Sequence, residues 1–102
     1  MNSAEQLIFA AVMQLEEEES FEGAEKTLRE AIELATVASH PVELIRAKAL
    51  LGEILLNTSR ETEAAVLFRE VLHVPEGVDP SLLEEETETA RTWLRELGVE
   101  GH

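Results

Sequence analysis

The sequence has no cysteine and no tyrosine, and aromatic residues make up only 4% of its 102 residues. The absence of cysteine excludes disulfides, thiolate zinc sites and thiol nucleophiles. Because the aromatic residues are three phenylalanines and one tryptophan, alanine and leucine must supply most of the core, which favours helices. A chain of this length is expected to form a single domain, residues 1–102, with a modest core.

Basic residues are also scarce. The chain has 22 acidic and 8 basic residues, a formal net charge of −14 at pH 7. This field repels phosphate backbones and anionic lipids, so neither nucleic acid nor a membrane surface is expected as a partner. No lysine or arginine precedes Lys26, and none lies between Arg69 and Arg91. The acidic stretches are either solvated surfaces or binding sites for a basic or amphipathic partner, and the sequence leaves both open.

Long apolar runs are missing as well. No run approaches the roughly 18 residues needed to span a membrane, and no cationic segment precedes an apolar one near the start of the sequence. These patterns predict a cytoplasmic protein rather than an exported or membrane-inserted one.

Apolar residues recur at helical spacing along nearly the whole chain, and no Asn-Gly or Asp-Gly hairpin turn is present. The pattern predicts an all-α fold in which short connections make sequential helices antiparallel. The expected organisation is a first helix pair over residues 4–38, a second pair over residues 41–74 and a final helix over residues 79–98. The expected helices of the two pairs are 4–18, 21–38, 41–57 and a fourth that the capping box at residues 58–61 opens and that extends to about residue 74.

Residue types that are frequent at the ends of helices mark the expected helix termini. Capping boxes are predicted at residues 3–6 and at residues 58–61, where Ser or Thr precedes Gln or Glu by three positions. Pro41 suits a first helical turn. Asp79 is expected to cap the last helix, and Gly98 is expected to end it.

Gly52 lies in the middle of the third expected helix. Glycine costs about 1 kcal/mol against alanine in a helix interior. A glycine at such a position predicts that a second helix approaches so closely that no side chain fits between them.

The two helix pairs resemble each other in sequence. The segments "SFEGAEKTLREAIEL" and "SRETEAAVLFREVLHV" superpose at a spacing of 40 residues. The superposition places Ala24 on Ala64, Leu28 on Phe68, Arg29 on Arg69, Glu30 on Glu70, Ala31 on Val71 and Ile32 on Leu72. Two helix-turn-helix units followed by a single helix resemble a tetratricopeptide repeat array with its C-terminal capping helix.

The second unit carries most of this resemblance. Leu51, Gly52, Leu55, Ala64 and Phe68 match the family's leucine-glycine pair and the large and small residues that follow it. In that family the glycine lets the two helices of one repeat cross closely. The first unit departs from the pattern at residues 11–12, where Ala-Val replaces leucine-glycine. The 40-residue spacing exceeds the usual ~34 and is closer to the longer-helix variety in kinesin light chains and some bacterial regulators.

The resemblance implies an α-α superhelix that binds a partner peptide or helix in the concave groove formed by the first helix of each unit. The implied function is a non-catalytic protein-protein interaction module, or adaptor, with no cofactor and no metal. Members that clamp the acidic tails of chaperones present lysines and asparagines in this groove, which this chain lacks apart from Arg46 and Asn57, so such a clamp is not expected. The implied groove residues are Gln6, Phe9 and Met13 from the first helix, and Arg46, Ala49, Glu53, Leu56 and Asn57 from the third.

Two alternatives remain open. A homodimer could bury Phe9, Met13 and Leu56, because two units and a cap are fewer than the ~3 repeats that usually make a solenoid stable alone. A metal-binding helical bundle would use the Glu-x-x-His spacing of Glu70 and His73, but such sites need a second pair, and the sequence offers none on a helix face. No phosphate-binding loop, metalloprotease motif or nucleophile elbow is present, so enzyme activity is not expected.

Overall fold

The computed structural model of the chain describes residues 2–98. In this range the backbone forms five α-helices and one 3-10 turn, with no strand. The helices are α1 (Ser3–Glu17), α2 (Phe21–Val37), α3 (Pro41–Asn57), α4 (Glu61–Val71) and α5 (Glu84–Glu96), and the 3-10 turn at Pro80–Leu83 leads into α5. The predicted all-α fold is confirmed. The first three helices match the expected bounds within one residue, whereas α4 ends three residues before residue 74.

Each helix packs against the next one along the chain, and α3 also contacts both α1 and α5. The described residues show no backbone contact between α2 and α4. The odd-numbered helices therefore form one layer, and α2 and α4 form a second layer beside it. Because α3 touches every other helix, it is the most enclosed element of the molecule.

Small side chains dominate the core. Ten of the nineteen buried hydrophobic residues within residues 2–98 are alanines. Alanine lets helix axes approach closely, but each alanine removes little apolar area from water. The few large buried side chains, led by Phe68 of α4, therefore carry much of the packing.

Gly52 of α3 faces the ring of Phe68. A Cβ atom placed on Gly52 would lie 2.7 Å from Cε1 and 2.8 Å from Cζ of that ring, well inside van der Waals contact. The expected close approach of a second helix is thus present, and the second helix is α4. The group that fills the space is an aromatic side chain, however, and not the backbone of α4.

The first helix is capped one residue earlier than expected. The side chain of Asn2 accepts a hydrogen bond from the Glu5 backbone N–H at 2.8 Å, and the Glu5 carboxylate accepts one from the Asn2 N–H at 3.1 Å. This reciprocal pair is a capping box. The prediction that Ser3 caps α1 was wrong, because Asn2 is an equally good cap and Glu5 stands at the matching third position.

The predicted capping box over residues 58–61 was also wrong. Thr58, the expected N-cap, is instead the C-cap of α3, and Ser59, which would be the first helical residue, has a φ of 61°, in the left-handed region. The hydroxyl of Thr58 instead donates to the carbonyls of Ile54 and Leu55 at the end of α3. Arg60 occupies the N-cap position of α4 without a side-chain capping bond.

The cap expected for the last helix belongs to the 3-10 turn instead, because α5 itself begins at Glu84 with Leu83 at its N-cap position and no side-chain capping bond. The Asp79 carboxylate accepts a hydrogen bond from the Ser81 backbone N–H at 3.0 Å, and Pro80 occupies the first turn. This bond is the largest cause that lowers the pKa of Asp79 below its ordinary value. Gly98 follows α5 with a φ of 73°, a left-handed conformation that glycine adopts without steric cost.

Charged side chains connect the two outer helices. Arg29 of α2 lies 2.7 Å from a carboxylate oxygen of Glu63 in α4 and 2.9 Å from Glu25 one turn earlier. Arg60, next to the start of α4, also donates to Glu25. The Arg60 hydrogen bond is the largest cause that holds the pKa of Glu25 below its ordinary value.

Candidate functional site

The groove residues implied for α1 lie on its open side. Gln6 is exposed, and the side chains of Phe9 and Met13 are 61% and 40% exposed. Successive residues of a helix are turned by about 100°, which places these three about half a turn from the buried Ala4 and Ala11. None of them lines a described depression of the surface that also involves α3.

The residues implied for the first half of α3 line a depression shared by three helices. This depression has a volume of about 290 Å³ and is bordered by α1, α3 and α5. We call it the Arg46 depression. Its lining residues are Ile8, Arg46, Ala49, Leu50, Glu53, Glu85, Glu86 and Thr89. Ala49 is itself buried, so it forms part of the floor and offers little surface to a partner.

The residues implied for the end of α3 line a second depression, between α3 and α5 and next to the start of α4. Its volume is about 430 Å³, and we call it the Trp93 depression. It is lined by Glu53, Leu56, Asn57, Glu61, Trp93, Glu96 and Leu97. Glu53 belongs to both linings. The two depressions therefore adjoin at Glu53, and we call them together the α3–α5 groove.

Polar contacts connect α3 with α5 and with the preceding 3-10 turn along this groove. The Trp93 Nε1–H donates to Oε2 of Glu53 at 3.2 Å. Arg46 donates to the carbonyl of Leu82 at 3.3 Å and lies 3.5 Å from a carboxylate oxygen of Glu86. The first contact orients the indole ring toward α3, whereas the Arg46 side chain remains 41% exposed.

Asn57 is turned back onto its own helix. Its Nδ2–H donates to the Glu53 carbonyl at 2.9 Å. The carboxamide remains exposed, so its oxygen stays accessible to a partner while its nitrogen helps to close the end of α3.

The groove is acidic. Five carboxylates line the two depressions, and the one cationic side chain in these linings is Arg46, which already contacts Glu86. The carboxylates belong to Glu53, Glu61, Glu85, Glu86 and Glu96. The surface therefore attracts cations and repels acidic segments.

The sequence resemblance missed nine of the fourteen residues in this lining. It treated α5 only as a cap, although Glu85, Thr89 and Trp93 of that helix face the groove. Ile8 was not named for α1 either. A useful signal was present in the sequence, because Trp93 is the one tryptophan of the chain and stands on a mostly polar helix.

The strongest charge coupling lies outside the groove. The ion pairs that link α2 and α4 are the main cause that lowers the pKa of Glu25 and raises the pKa values of Arg29 and Arg60. We assign these three residues to holding the outer layer together.

Residues 2–98 bring no group of three His, Cys, Asp or Glu side chains together in an arrangement that could hold a metal ion. His73, named for its spacing from Glu70, is exposed just beyond the end of α4.

Within residues 2–98, no helix combines the length and the apolar character needed to cross a membrane.

Comparison with known proteins adds no relative: no protein-family model matches the sequence, no curated protein matches it, and no solved structure matches the fold. The tetratricopeptide resemblance therefore depends on the residues and contacts of this chain alone.

Proposed function

We propose that this protein is a non-catalytic interaction module that binds a segment of a partner protein, a peptide or a helix, in the α3–α5 groove. One observation carries the proposal: three helices of one layer border two adjoining, partly apolar depressions that contain five of the eight implied groove residues. A mixture of apolar contacts and fixed polar groups is typical of grooves that bind peptides.

We also propose that the chain is a tetratricopeptide-like array of the longer-helix variety, with α5 as the capping helix. The 40-residue internal repeat supports this relationship. The contact of Gly52 with Phe68 and the division of the helices into two layers are consistent with it. The proposal includes a superhelical arrangement, a cytoplasmic location and the absence of enzymatic activity.

Selection of peptides from a random display library tests this function, because such a selection needs no candidate partner. Peptides selected on the wild-type protein should bind the Leu56→Glu variant at least about tenfold more weakly, since a charge inside an apolar contact costs about 1.4 kcal/mol or more. Fluorescence anisotropy of labelled peptides measures the difference.

The matched control is Val37→Glu, which adds the same charge to a side chain that is 86% exposed near the end of α2. Glu85→Lys serves as a second groove variant, because Glu85 is exposed and its replacement leaves the core intact. Equal affinity of the selected peptides for wild type, Leu56→Glu and Glu85→Lys would refute binding in the groove.

A homodimer is a second candidate, favoured by the exposure of Phe9 and Met13 on the open side of α1. Burying both side chains in a symmetric contact would add to the small apolar core. Sedimentation equilibrium distinguishes the candidates: a dimer that Phe9→Ser dissociates supports self-association, and a monomer at micromolar concentration contradicts it.

A further inference from the structure

We propose that the Trp93 depression receives a lysine or arginine side chain of the bound segment. This inference depends on the proposed function, because it assigns one position of the partner within the same groove. It rests on three properties of the depression: an aromatic ring oriented toward α3, two leucine side chains, and carboxylates at the rim.

The apolar part of the depression suits the stem of a long basic side chain. Leu56, Leu97 and the half-buried ring of Trp93 line the same space of about 430 Å³. Lysine and arginine place their methylene groups along such surfaces while the charged end stays close to water. A cation near an indole face is attracted by the ring quadrupole, and tryptophan is the best aromatic partner for this contact.

The charged part of the depression selects a cation. Glu53, Glu61 and Glu96 contribute carboxylates, and the lining contains no basic side chain. Glu53 also orients the ring, because it accepts the hydrogen bond from Trp93 Nε1. The carboxylates of Glu61 and Glu96 belong to exposed residues and can turn toward an incoming ammonium or guanidinium group.

Other occupants fit less well. An acidic side chain would meet three carboxylates, and a purely apolar one would remove these carboxylates from water without pairing them. A second copy of this chain carries the same net charge of −14, so the long-range field opposes its approach.

The tryptophan provides the measurement. Trp93 is the one tryptophan in a chain that has no tyrosine, so intrinsic fluorescence reports on the surroundings of this ring, which lines this depression and also a second one that contains Arg91. The probe is a short acetylated and amidated peptide with lysines and leucines at helical spacing, and its counterpart has every lysine replaced by glutamine. We expect the lysine peptide to change the Trp93 emission saturably and the glutamine peptide to leave it unchanged.

Calorimetry on two charge-matched variants separates local contact from the general attraction of an acidic protein. Glu96→Gln and Glu33→Gln each remove one negative charge, but Glu33 is exposed on α2, far from α5 in sequence and outside the depression. We expect Glu96→Gln to weaken binding of the lysine peptide by roughly 3- to 10-fold and Glu33→Gln to weaken it by less than about 2-fold.

The outcomes distinguish this inference from the proposed function. If peptides from the display library bind in the groove while Trp93 emission stays constant with the lysine peptide, the groove function stands and the basic-side-chain assignment falls. Equal weakening by Glu96→Gln and Glu33→Gln also overturns the assignment, because it indicates non-specific attraction. If the library yields no groove-dependent peptide, the proposed function falls as well.

Discussion

Gly52 of α3 lies against the ring of Phe68 of α4. Phe68 is fully buried, and its ring occupies the space where a side chain at residue 52 would lie. The sequence predicted a small residue and a neighbouring helix at this place, because glycine is unfavourable inside a helix without such a cause. It could not identify the ring as the contacting group, since that depends on the crossing geometry of two helices.

Replacement of Gly52 by leucine should destabilise the fold by more than about 2 kcal/mol, because the new side chain overlaps a buried ring that cannot leave the core. Thermal and urea unfolding measure the effect. Glu18→Gln, an exposed change just after α1, should alter the free energy of unfolding by less than about 0.5 kcal/mol.

Gly52→Ala is the more decisive test, because helix propensity and packing predict opposite changes in stability for it. Helix propensity alone predicts a gain of about 1 kcal/mol from this change, whereas the Cβ contact at 2.7 Å predicts a loss. An increase in stability for Gly52→Ala, or similar melting curves for Gly52→Leu and Glu18→Gln, would contradict the packing argument.

At the scale of the helices, the connections obey a shared geometry that the sequence did not reveal. Ser39 and Ser59 both adopt left-handed backbone, with φ of 58° and 61°. The N–H of the next residue reaches back to the carbonyl of Ala35 in one case and of Leu55 in the other, at 2.9 and 2.8 Å. These are Schellman-type helix ends, at which glycine is the usual residue. Because serine and not glycine stands at both positions, these helix ends could not be predicted from the residue types.

Glycine at these two positions should stabilise the protein. The left-handed conformation costs a non-glycine residue about 1–2 kcal/mol, and glycine adds an entropic cost of roughly 0.5–1 kcal/mol. We expect Ser39→Gly and Ser59→Gly each to raise the free energy of unfolding by about 0.5–1 kcal/mol. Urea denaturation measures this change.

Alanine at the same two positions is the control, since it keeps the steric cost and cannot produce the gain. Equal stabilities for the glycine and alanine variants would show that backbone strain is absent from these connections.

At the scale of the whole molecule, ion pairs join helices whose backbones do not touch. Arg29 and Arg60 bring the carboxylates of Glu25 and Glu63 together across α2 and α4. Neither spacing nor composition could identify these partners, because they lie 34 and 35 residues apart.

The composition of the groove could also be predicted only in part from the sequence. The sequence indicated a binding layer from α1 and α3, but the contribution of α5 follows from how that helix folds back onto α3.

The Glu25 contacts should make stability depend on pH in a defined direction. The pKa of Glu25 lies below its ordinary value of 4.5, chiefly because Arg60 donates to the carboxylate. Its contribution is therefore fully present above about pH 4.5 and is lost as the pH falls through the lower value of the folded state. Wild type should exceed Glu25→Gln in urea midpoint at pH 7, and the difference should shrink steadily below pH 4.5.

Glu33→Gln removes the same charge from α2 and serves as the reference, because acidification also relieves the overall repulsion of a chain with a net charge of −14. A difference between wild type and Glu25→Gln that stays constant from pH 7 to the acid limit would exclude the ion pair as its source.

The left-handed residues Glu19, Ser39 and Ser59 recur every twenty positions, and α2 and α3 have the same length of 17 residues. Residues 20–59, which lie between the left-handed residue Glu19 and the end of the turn at Ser59, thus contain one complete two-helix module, α2 and α3. Tandem duplication of residues 20–59 would join two turns that each contain a left-handed residue. We expect such a duplication to preserve the alternation of the layers and to lengthen the groove by one helix.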